Sequence, residues 1–351
     1  MKVAIASVQV PFITGGAEVL ARDLCDQLVA RGHQAAIVTV PFKWYPIETL
    51  LDAMAAGGLV DLSEVNGERI DRVIALKFPA YYLRHDRKVL WLCHQHRQAY
   101  DLWGTPHGDL HLHPRGEAVR RLIVRSDNEA FAEARAIYTI GRNVAERLRR
   151  FNDVEATVLH PPPRDADRLR CDGYEDFVFF PSRLDPMKRQ RLLVEAARHL
   201  GTPARIVLAG AGSDREVTHL TEMVTRHGLS DRVRLLGFVS DEEKVRLYAT
   251  CLAVYYGAVD EDYGYVPVEA MLASKAVLVH PDAGGPAEFV TDGESGFVVS
   301  AEPEAIARQI DALWHDRALA RAMGERARAS IAARRIDWDH VIGRLLGEAD
   351  A

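Results

Sequence analysis

The chain has 351 residues, of which 48% are hydrophobic and 27% charged, and its formal net charge is -6 at pH 7. This composition is typical of a soluble globular protein that is long enough for two domains, each with its own core. The weak negative charge gives no field that favours nucleic acid, so we expect a small-molecule partner. The four cysteines are too scattered for a disulfide framework or a metal site, which favours a reducing, cytoplasmic compartment.

Short β-branched runs alternate with segments of helical period in the first half of the chain. VAIASV is followed by a segment in which Leu20, Leu24 and Leu28 share one helical stripe, and AAIVTV then completes a strand–helix–strand unit. The apolar run at the N-terminus is shorter than a membrane span, so we interpret it as a strand. The alternation predicts a parallel sheet wrapped by helices.

A second and more regular α/β series begins after a proline-rich junction. Pro161 to Pro163 and the polar stretch after them have the composition of a linker. The predicted strands beyond it are FVFFPS, ARIVLAG, RVRLLG, LAVYYG and KAVLVH. We therefore predict one α/β domain over residues 1–163 and a second over 164–335, with a C-terminal helix at about 336–351 that packs back on the first.

The segment VDEDYGYVPVEAM, residues 259–271, follows the predicted strand LAVYYG. Pro267 stands where a helix would start, because its missing N–H has no consequence there, and Gly264 precedes it. This arrangement directs backbone N–H groups and the positive end of a helix dipole to the edge of the sheet, a place suited to phosphate. Glu269, predicted in the first helical turn, and Glu261 in the loop could then accept sugar hydroxyls on either side of that phosphate. The simpler interpretation is one loop glutamate and one dipole-favoured helix glutamate.

Two cations follow the first strand of the second half. In PSRLDPMKRQ, Arg183 and Lys188 are five positions apart in the turn that leads to the next helix. At the carboxyl end of a parallel strand they are placed to hold a diphosphate, arginine through its planar fork and lysine as a point charge. A solvated basic turn is the alternative.

A glycine pair in ITGGAEVL separates the first predicted strand from the first helix. Gly15 and Gly16 would let a ligand approach the backbone, although a tight turn explains such a pair equally well. No GxGxxG pattern follows a strand, since LAGAGSDRE offers only Gly210 and Gly212. A dehydrogenase is therefore the least favoured class.

Together these segments resemble the retaining glycosyltransferases of family 4, which have the GT-B architecture of two Rossmann-like domains facing across a cleft. EDYGYVPVEAM resembles the family's E-x7-E segment, with Asp262 and Tyr263 in place of the commoner Gly and Phe. SRLDPMK resembles its GRLxxxK turn, with Ser182 in place of Gly. TGGAE resembles its glycine-rich loop, and His94 stands where the family carries an active-site histidine.

The resemblance implies transfer of a hexose-type sugar from a nucleotide diphosphate sugar to an acceptor hydroxyl, with retention and without a metal or another cofactor. It assigns the acceptor to residues 1–163 and the donor to 164–335. The catalytic positions that it implies are Glu261 at the donor sugar, His94 beside the sugar, and Arg183 and Lys188 at the leaving diphosphate. The donor-binding positions that it implies are Gly15, Gly16, Gly237, Phe238, Val239, Tyr263, Gly264, Tyr265, Val266 and Glu269, the last at the ribose.

Other functions fit the same motifs. A nucleotide-sugar epimerase or a sugar phosphorylase could use the same two-domain plan. A non-catalytic nucleotide-sugar-binding protein is a further alternative, although the intact Glu261, Arg183 and Lys188 argue against it. The histidine-rich stretch 94–113 could bind zinc as an alternative. This stretch contains no cysteine and no clustered carboxylates, so we predict no metal.

The acceptor is not identified by the sequence, and a carbohydrate, a lipid-linked sugar or a small molecule all remain open. His96 is a candidate to shape its pocket, together with the aromatic residues Trp44, Tyr45, Tyr81, Tyr82, Tyr100 and Trp103. For most of them, ordinary first-domain core and surface is the favoured interpretation. The arginines at 142, 147, 149 and 150 could contact an anionic membrane at its inner face, although a solvated helix face is the commoner explanation.

Overall fold

The computed structural model describes residues 1–12 and 15–347. Its strands are β1 (Lys2–Gln9), β2 (Gln34–Pro41), β3 (Glu64–Val65), β4 (Glu68–Arg69), β5 (Arg72–Lys77), β6 (Lys88–His94), β7 (Ala136–Thr139), β8 (Thr157–Val158), β9 (Phe177–Pro181), β10 (Arg205–Ala209), β11 (Val233–Leu235), β12 (Ala253–Tyr255), β13 (Ala276–Val279) and β14 (Gly296–Val298). Its helices are α1 (Gly16–Ala30), α2 (Ile47–Leu59), α3 (Gly116–Ala132), α4 (Arg142–Asn152), α5 (Gln190–Ala196), α6 (Asp214–Arg226), α7 (Asp241–Thr250), α8 (Tyr265–Leu272), α9 (Pro303–His315), α10 (Arg317–Ala332) and α11 (Trp338–Leu346).

The chain divides into two compact units. Unit 1 comprises Met1–Pro161 together with the segment from Ile336 onward, and unit 2 comprises Pro162–Arg335. Helix α11 thus belongs to unit 1, where the ring of Trp338 meets that of Trp91 edge-on at 6.2 Å between centroids. Among the described residues, no helix is long and apolar enough to cross a bilayer.

Unit 1 contains a six-stranded sheet with the order β2-β1-β5-β6-β7-β8, in which every pairing is parallel. The chain runs from β1 outward to β2 and then returns to β5 on the other side of β1. The inner strands β5 and β6 are buried nearly along their whole length, as expected for parallel strands covered by helices on both faces.

Unit 2 repeats this plan with the strand order β11-β10-β9-β12-β13-β14, again parallel throughout. Strand β9 is the central one, and its five residues, FVFFP, are all buried. The chain leaves β9 towards β10 and β11 and returns to β12 on the opposite side. In open α/β sheets, the carboxyl ends of the strands at such a reversal form the ligand-binding crevice. The turn after β9 and the loop after β12 lie at this point.

Candidate functional site

The turn after β9 and the loop after β12 are joined by a main-chain hydrogen bond. The N–H of Val259 donates to the carbonyl of Met187 at 2.9 Å. The structure thereby brings Lys188 and Glu261 together, although 73 positions separate them in the chain. This contact agrees with the expectation that residues following neighbouring parallel strands meet at one edge of the sheet.

Lys188 is held as a cation in this edge. Its Nζ donates to the carboxylate of Glu261 and, at 3.0 Å, to the hydroxyl of Tyr256. Burial by itself disfavours the ammonium, but Tyr256 and Glu261 outweigh it, and the pKa of Lys188 is raised. Burial and the Glu261 charge raise the pKa of Tyr256 to about 12, so the phenol stays neutral at pH 7.

Arg183 supplies a second positive charge. Its side chain is exposed, and within residues 1–12 and 15–347 its guanidinium makes no hydrogen bond or ion pair. Its carbonyl accepts a hydrogen bond from Gln190 Nε2 at 2.7 Å, which fixes the main chain of the turn. Two cations and the single carboxylate of Glu261 leave one net positive charge on these three side chains.

The backbone of Glu261 is fixed by the segment after β13. Its N–H donates to the carbonyl of Ala283 at 2.9 Å, and its own carbonyl accepts from Gly285 N–H at 2.8 Å. A Cβ on Gly285 would lie 2.6 Å from the carbonyl oxygen of Tyr263, so only glycine permits this close approach. The loop that carries Glu261 is therefore held by main-chain contacts on two sides.

Helix α8 begins earlier than the sequence predicts. Its N-cap is Gly264, whose φ of 99° lets the chain turn directly into the helix at Tyr265. Pro267 is the third helical residue, where its missing N–H still has no intrahelical partner to lose. Glu269 is the fifth, so its predicted place in the first turn is wrong. In the described chain no side chain caps α8 and no acidic residue lies in its first turn, which leaves its dipole unopposed there.

Glu269 is only 8% exposed, and side chains of α7 hold both of its carboxylate oxygens. Lys244 Nζ lies 3.0 Å from Oε1, and the hydroxyl of Tyr248 donates to Oε2 at 2.8 Å. Burial disfavours the charged Lys244, but Glu269 more than compensates and raises the pKa of Lys244. Neither Lys244 nor Tyr248 was predicted from the sequence to lie at the site. Their spacing of four positions places them on one face of α7, but nothing in that spacing indicates which carboxylate they meet.

The remaining candidates of unit 2 differ in exposure. Gly237 has a φ of 67°, and its carbonyl accepts from Gly210 N–H at 2.7 Å. The neighbouring Phe238 is 83% exposed, so its ring is accessible to a ligand. The ring of Tyr263, by contrast, is buried against Phe289 at 5.5 Å between centroids. Only the main chain of Tyr263 is suited to contact a ligand.

The candidates of unit 1 lie at the carboxyl ends of β1 and β6. Gly15 is the N-cap of α1, and its N–H donates to Glu18 Oε2 at 2.8 Å, so a carboxylate already neutralises this helix start. Gly16 is the first residue of α1. Thr14, part of the predicted glycine-rich loop, lies outside the described residues. His94 ends β6 half-buried, with Nδ1 2.5 Å from the carbonyl oxygen of Gln95.

Arg147 is buried, and its Nε lies 3.3 Å from Asp101 Oδ1, so its predicted place on an exposed membrane-facing helix surface is wrong. The pattern of charges along α4 could not reveal this burial, because the acidic partner of Arg147, Asp101, lies in another segment of the chain.

Across the described residues, no group of three or more His, Cys, Asp or Glu side chains is placed to hold a metal ion.

The family model for glycosyl transferases group 1 matches residues 164–330, which lie within unit 2. Among curated relatives, the D-inositol 3-phosphate glycosyltransferase of Nocardia farcinica is 32% identical over 203 residues, covering 55% of this chain and 44% of that protein. The lipopolysaccharide core biosynthesis mannosyltransferase LpcC of Rhizobium leguminosarum bv. viciae is 33% identical over 184 residues, covering 50% and 51%. The chain thus aligns with about half the length of the curated relatives that it matches.

A solved structure extends the likeness to the whole chain at the level of fold. The Anabaena protein Alr3699/HepE, crystallised with UDP and glucose, superposes with a TM-score of 0.70 and 19% identity over 99% of both chains. This likeness confirms the predicted α/β class and the fold shared with GT-B proteins. The motifs of unit 2 and the family match lie in the same residues, so residues 164–330 of this chain are similar to the glycosyl transferases group 1 family.

Proposed function

We propose that this protein is a glycosyltransferase that moves a hexose-type sugar from a nucleotide diphosphate sugar to an acceptor hydroxyl, with retention at the anomeric carbon. The observation that carries the proposal is the ion pair of Lys188 with Glu261 at the reversal point of the unit 2 sheet, with Arg183 in the same turn after β9. This edge combines fixed positive charge with one hydrogen-bonding carboxylate, which suits a ligand that joins a diphosphate to a sugar.

The proposed reaction requires stabilisation of its leaving group, the nucleoside diphosphate. The acceptor oxygen forms a bond to the anomeric carbon, the bond from that carbon to the diphosphate breaks, and the electron pair leaves with the diphosphate. The acceptor proton passes to the departing phosphate oxygen. Lys188 and Arg183 stabilise the charge that develops there, in the role that a divalent cation has in other diphosphate reactions. Retention is supported by the resemblance of residues 261–271 to the E-x7-E segment of family 4.

The ribose is assigned to Glu269. An ionised carboxylate has about four acceptor directions, and Lys244 and Tyr248 use two of them. Two directions therefore remain for ribose hydroxyls. The UDP and glucose in the crystals of the Anabaena protein support a nucleoside diphosphate sugar as the class of donor. Contacts of Gly237 to Val239 with the base, and of Gly15, Gly16 and His94 with the donor, remain parts of this proposal.

Thermal unfolding with UDP, GDP, ADP and NAD, each tested separately, examines the proposal. A ligand present at about one hundred times its Kd adds about 2.7 kcal/mol of stability, or a shift of several degrees in a chain of this size. We expect stabilisation by one nucleoside diphosphate and release of that diphosphate from its sugar conjugate when acceptor is added. Stabilisation by NAD alone would contradict the proposal. Free sugar phosphate or an isomerised donor, formed without acceptor, would indicate a phosphorylase or an epimerase instead.

A further inference from the structure

A pocket of about 350 Å³ opens in unit 1 among side chains that the proposed donor site does not use. The residues of its lining that matter here are Trp44, Tyr45, His96, Gln98, Asp109 and His113. Trp44 and Tyr45 follow β2, and His96 follows β6. The pocket therefore lies at the carboxyl ends of parallel strands, the edge at which open α/β sheets bind their ligands.

Two aromatic rings are presented to this pocket. Trp44 is 38% exposed and Tyr45 is 56% exposed, and their ring centroids lie 5.2 Å apart at an interplanar angle of 77°. Phe42 supports Trp44 from the side at 6.3 Å between centroids. Rigid, supported aromatic faces contact the C–H surface of a ring-shaped ligand at a low cost in conformational entropy.

Polar groups with unused hydrogen-bonding capacity surround these rings. Within the described part of the chain, the carboxylate of Asp109, the indole N–H of Trp44 and the hydroxyl of Tyr45 make no hydrogen bond. Gln98 Oε1 accepts from the main-chain N–H of Asp109 at 3.2 Å and of Leu110 at 3.0 Å, which fixes the amide and leaves Nε2 as a donor. The pocket thus offers both donors and an acceptor, as a ring bearing several hydroxyls requires.

The charge of the pocket narrows the ligand class. Burial, with His94 as the neighbouring charge, lowers the pKa of His96 to about 4, so this imidazole is neutral at pH 7. Asp109 is the one carboxylate among the described lining residues, and the ammonium of Lys43 lies 4.9 Å from the centroid of the Tyr45 ring. The two charges offset each other, so the pocket as a whole suits a neutral ligand, whereas Asp109 repels a phosphate placed beside it. We propose that this pocket binds a neutral sugar ring of the acceptor through Trp44, Tyr45 and Asp109. The inference rests on the proposed transferase function and specifies its acceptor.

Saturation-transfer NMR on the full chain tests this assignment. The probes are methyl α-D-glucopyranoside, methyl α-D-mannopyranoside and glucose 6-phosphate, each with and without the stabilising nucleoside diphosphate. We expect at least one neutral glycoside to bind and glucose 6-phosphate to bind more weakly. Trp44→Ala should weaken the neutral glycoside by about tenfold. Leu59→Ala, which removes an exposed apolar side chain of unit 1 outside the pocket, should leave binding unchanged.

Asp109→Asn provides a second variant, because this exposed side chain has no contacts that the fold needs. It should remove the discrimination between the neutral and phosphorylated probes. Failure of both glycosides to bind, equal binding by Trp44→Ala, or a preference of the unmodified protein for glucose 6-phosphate would each overturn the assignment. The thermal shift with a nucleoside diphosphate is measured on the same samples. Absence of this thermal shift would reject the transferase proposal. A thermal shift without glycoside binding would reject only the assignment of the acceptor sugar to this pocket.

Discussion

Lys188 and Glu261 form an ion pair across the two segments that follow β9 and β12, and Tyr256 accepts a second hydrogen bond from the same ammonium at 3.0 Å. The side chain of Lys188 is 13% exposed and that of Glu261 is 31% exposed, so the pair is partly shielded from water. The two contacts fix the position of the ammonium. Lys188 therefore does not have to reorganise when negative charge develops beside it.

Removal of this cation should therefore affect turnover more than folding. We expect Lys188→Ala to lower kcat by about 100-fold or more, as for the loss of one preorganised charge-stabilising group. Arg189→Ala is the matched control, because this neighbouring cation pairs with Asp282 at the surface and should change kcat little. Single-turnover kinetics at saturating donor gives the comparison, with thermal unfolding as the check on folding. Unchanged donor consumption by Lys188→Ala would contradict the leaving-group role.

The ribose assignment predicts a loss of affinity. We expect Glu269→Gln to weaken the nucleoside diphosphate by about tenfold or more, because an ionised acceptor is replaced by a neutral amide. The same substitution should weaken binding of the 2′,3′-dideoxy form of the nucleotide much less, because this form lacks both ribose hydroxyls. Isothermal titration calorimetry measures both ligands. Equal affinities of the unmodified protein and Glu269→Gln for the ribonucleotide would show that Glu269 does not bind the ribose.

Lys244 should act through Glu269 and not on the reacting atoms. Its ammonium lies 3.0 Å from Glu269 Oε1 and 3.7 Å from Asp165 Oδ2, so it orients one carboxylate and is itself held by another. We expect Lys244→Met to raise KM for the donor several-fold and to leave kcat nearly unchanged. Lys244→Arg, which keeps the charge, should restore most of the affinity. A fall in kcat at unchanged KM would place Lys244 in the chemical step instead.

The sequence predicts those parts of the molecule that depend on local pattern and on one rule of topology. Strand β9 is recognisable as an unbroken apolar run because both of its faces are buried. Lys188 and Glu261 could be placed at one site because both follow strands of one parallel sheet and both lie in segments that resemble family 4. The pairing of Lys244 with Glu269 was not predictable, since it depends on how α7 packs beside α8. The burial of Arg147 was not predictable either, because it depends on an ion pair with Asp101 in a different segment of unit 1.

The sequence predicts that α8 starts at Pro267, whereas the helix begins at Tyr265. The proline can be read from the sequence, but the positive φ of Gly264 cannot. Gly264 has a φ of 99°, and a Cβ there would lie 2.7 Å from Cγ of Pro286. Gly264→Ala should therefore lower the free energy of unfolding by about 1–3 kcal/mol. Gly58→Ala is the control, since Gly58 lies within α2 with nothing within 4 Å of its Cβ position, and it should gain about 0.5–1 kcal/mol. Equal urea midpoints for the two variants would contradict the strain at Gly264.

Unit 1 contains a fully buried carboxylate whose ionisation should couple folding to pH. Asp127 is 0% exposed and accepts hydrogen bonds from the hydroxyls of Tyr81 at 2.9 Å, Tyr82 at 2.6 Å and Tyr100 at 2.6 Å. Burial raises the pKa of Asp127 to about 6, although the three phenols act in the opposite direction. Desolvation therefore outweighs three hydrogen bonds to the charged form.

The sign of the pH dependence follows from that raised pKa. Between about pH 4 and pH 6 the folded chain holds a proton on Asp127 that the unfolded chain has released, so this group stabilises the fold at low pH. Its contribution is complete below the unfolded pKa and is lost as the pH rises through about 6. Asp127→Asn keeps the shape and removes the titration. The free energy of unfolding of the unmodified protein, minus that of Asp127→Asn, should fall by about 2–3 kcal/mol from pH 4 to pH 7. Urea unfolding across this range measures the difference, and a constant or rising value would show that Asp127 is ionised in the folded chain throughout.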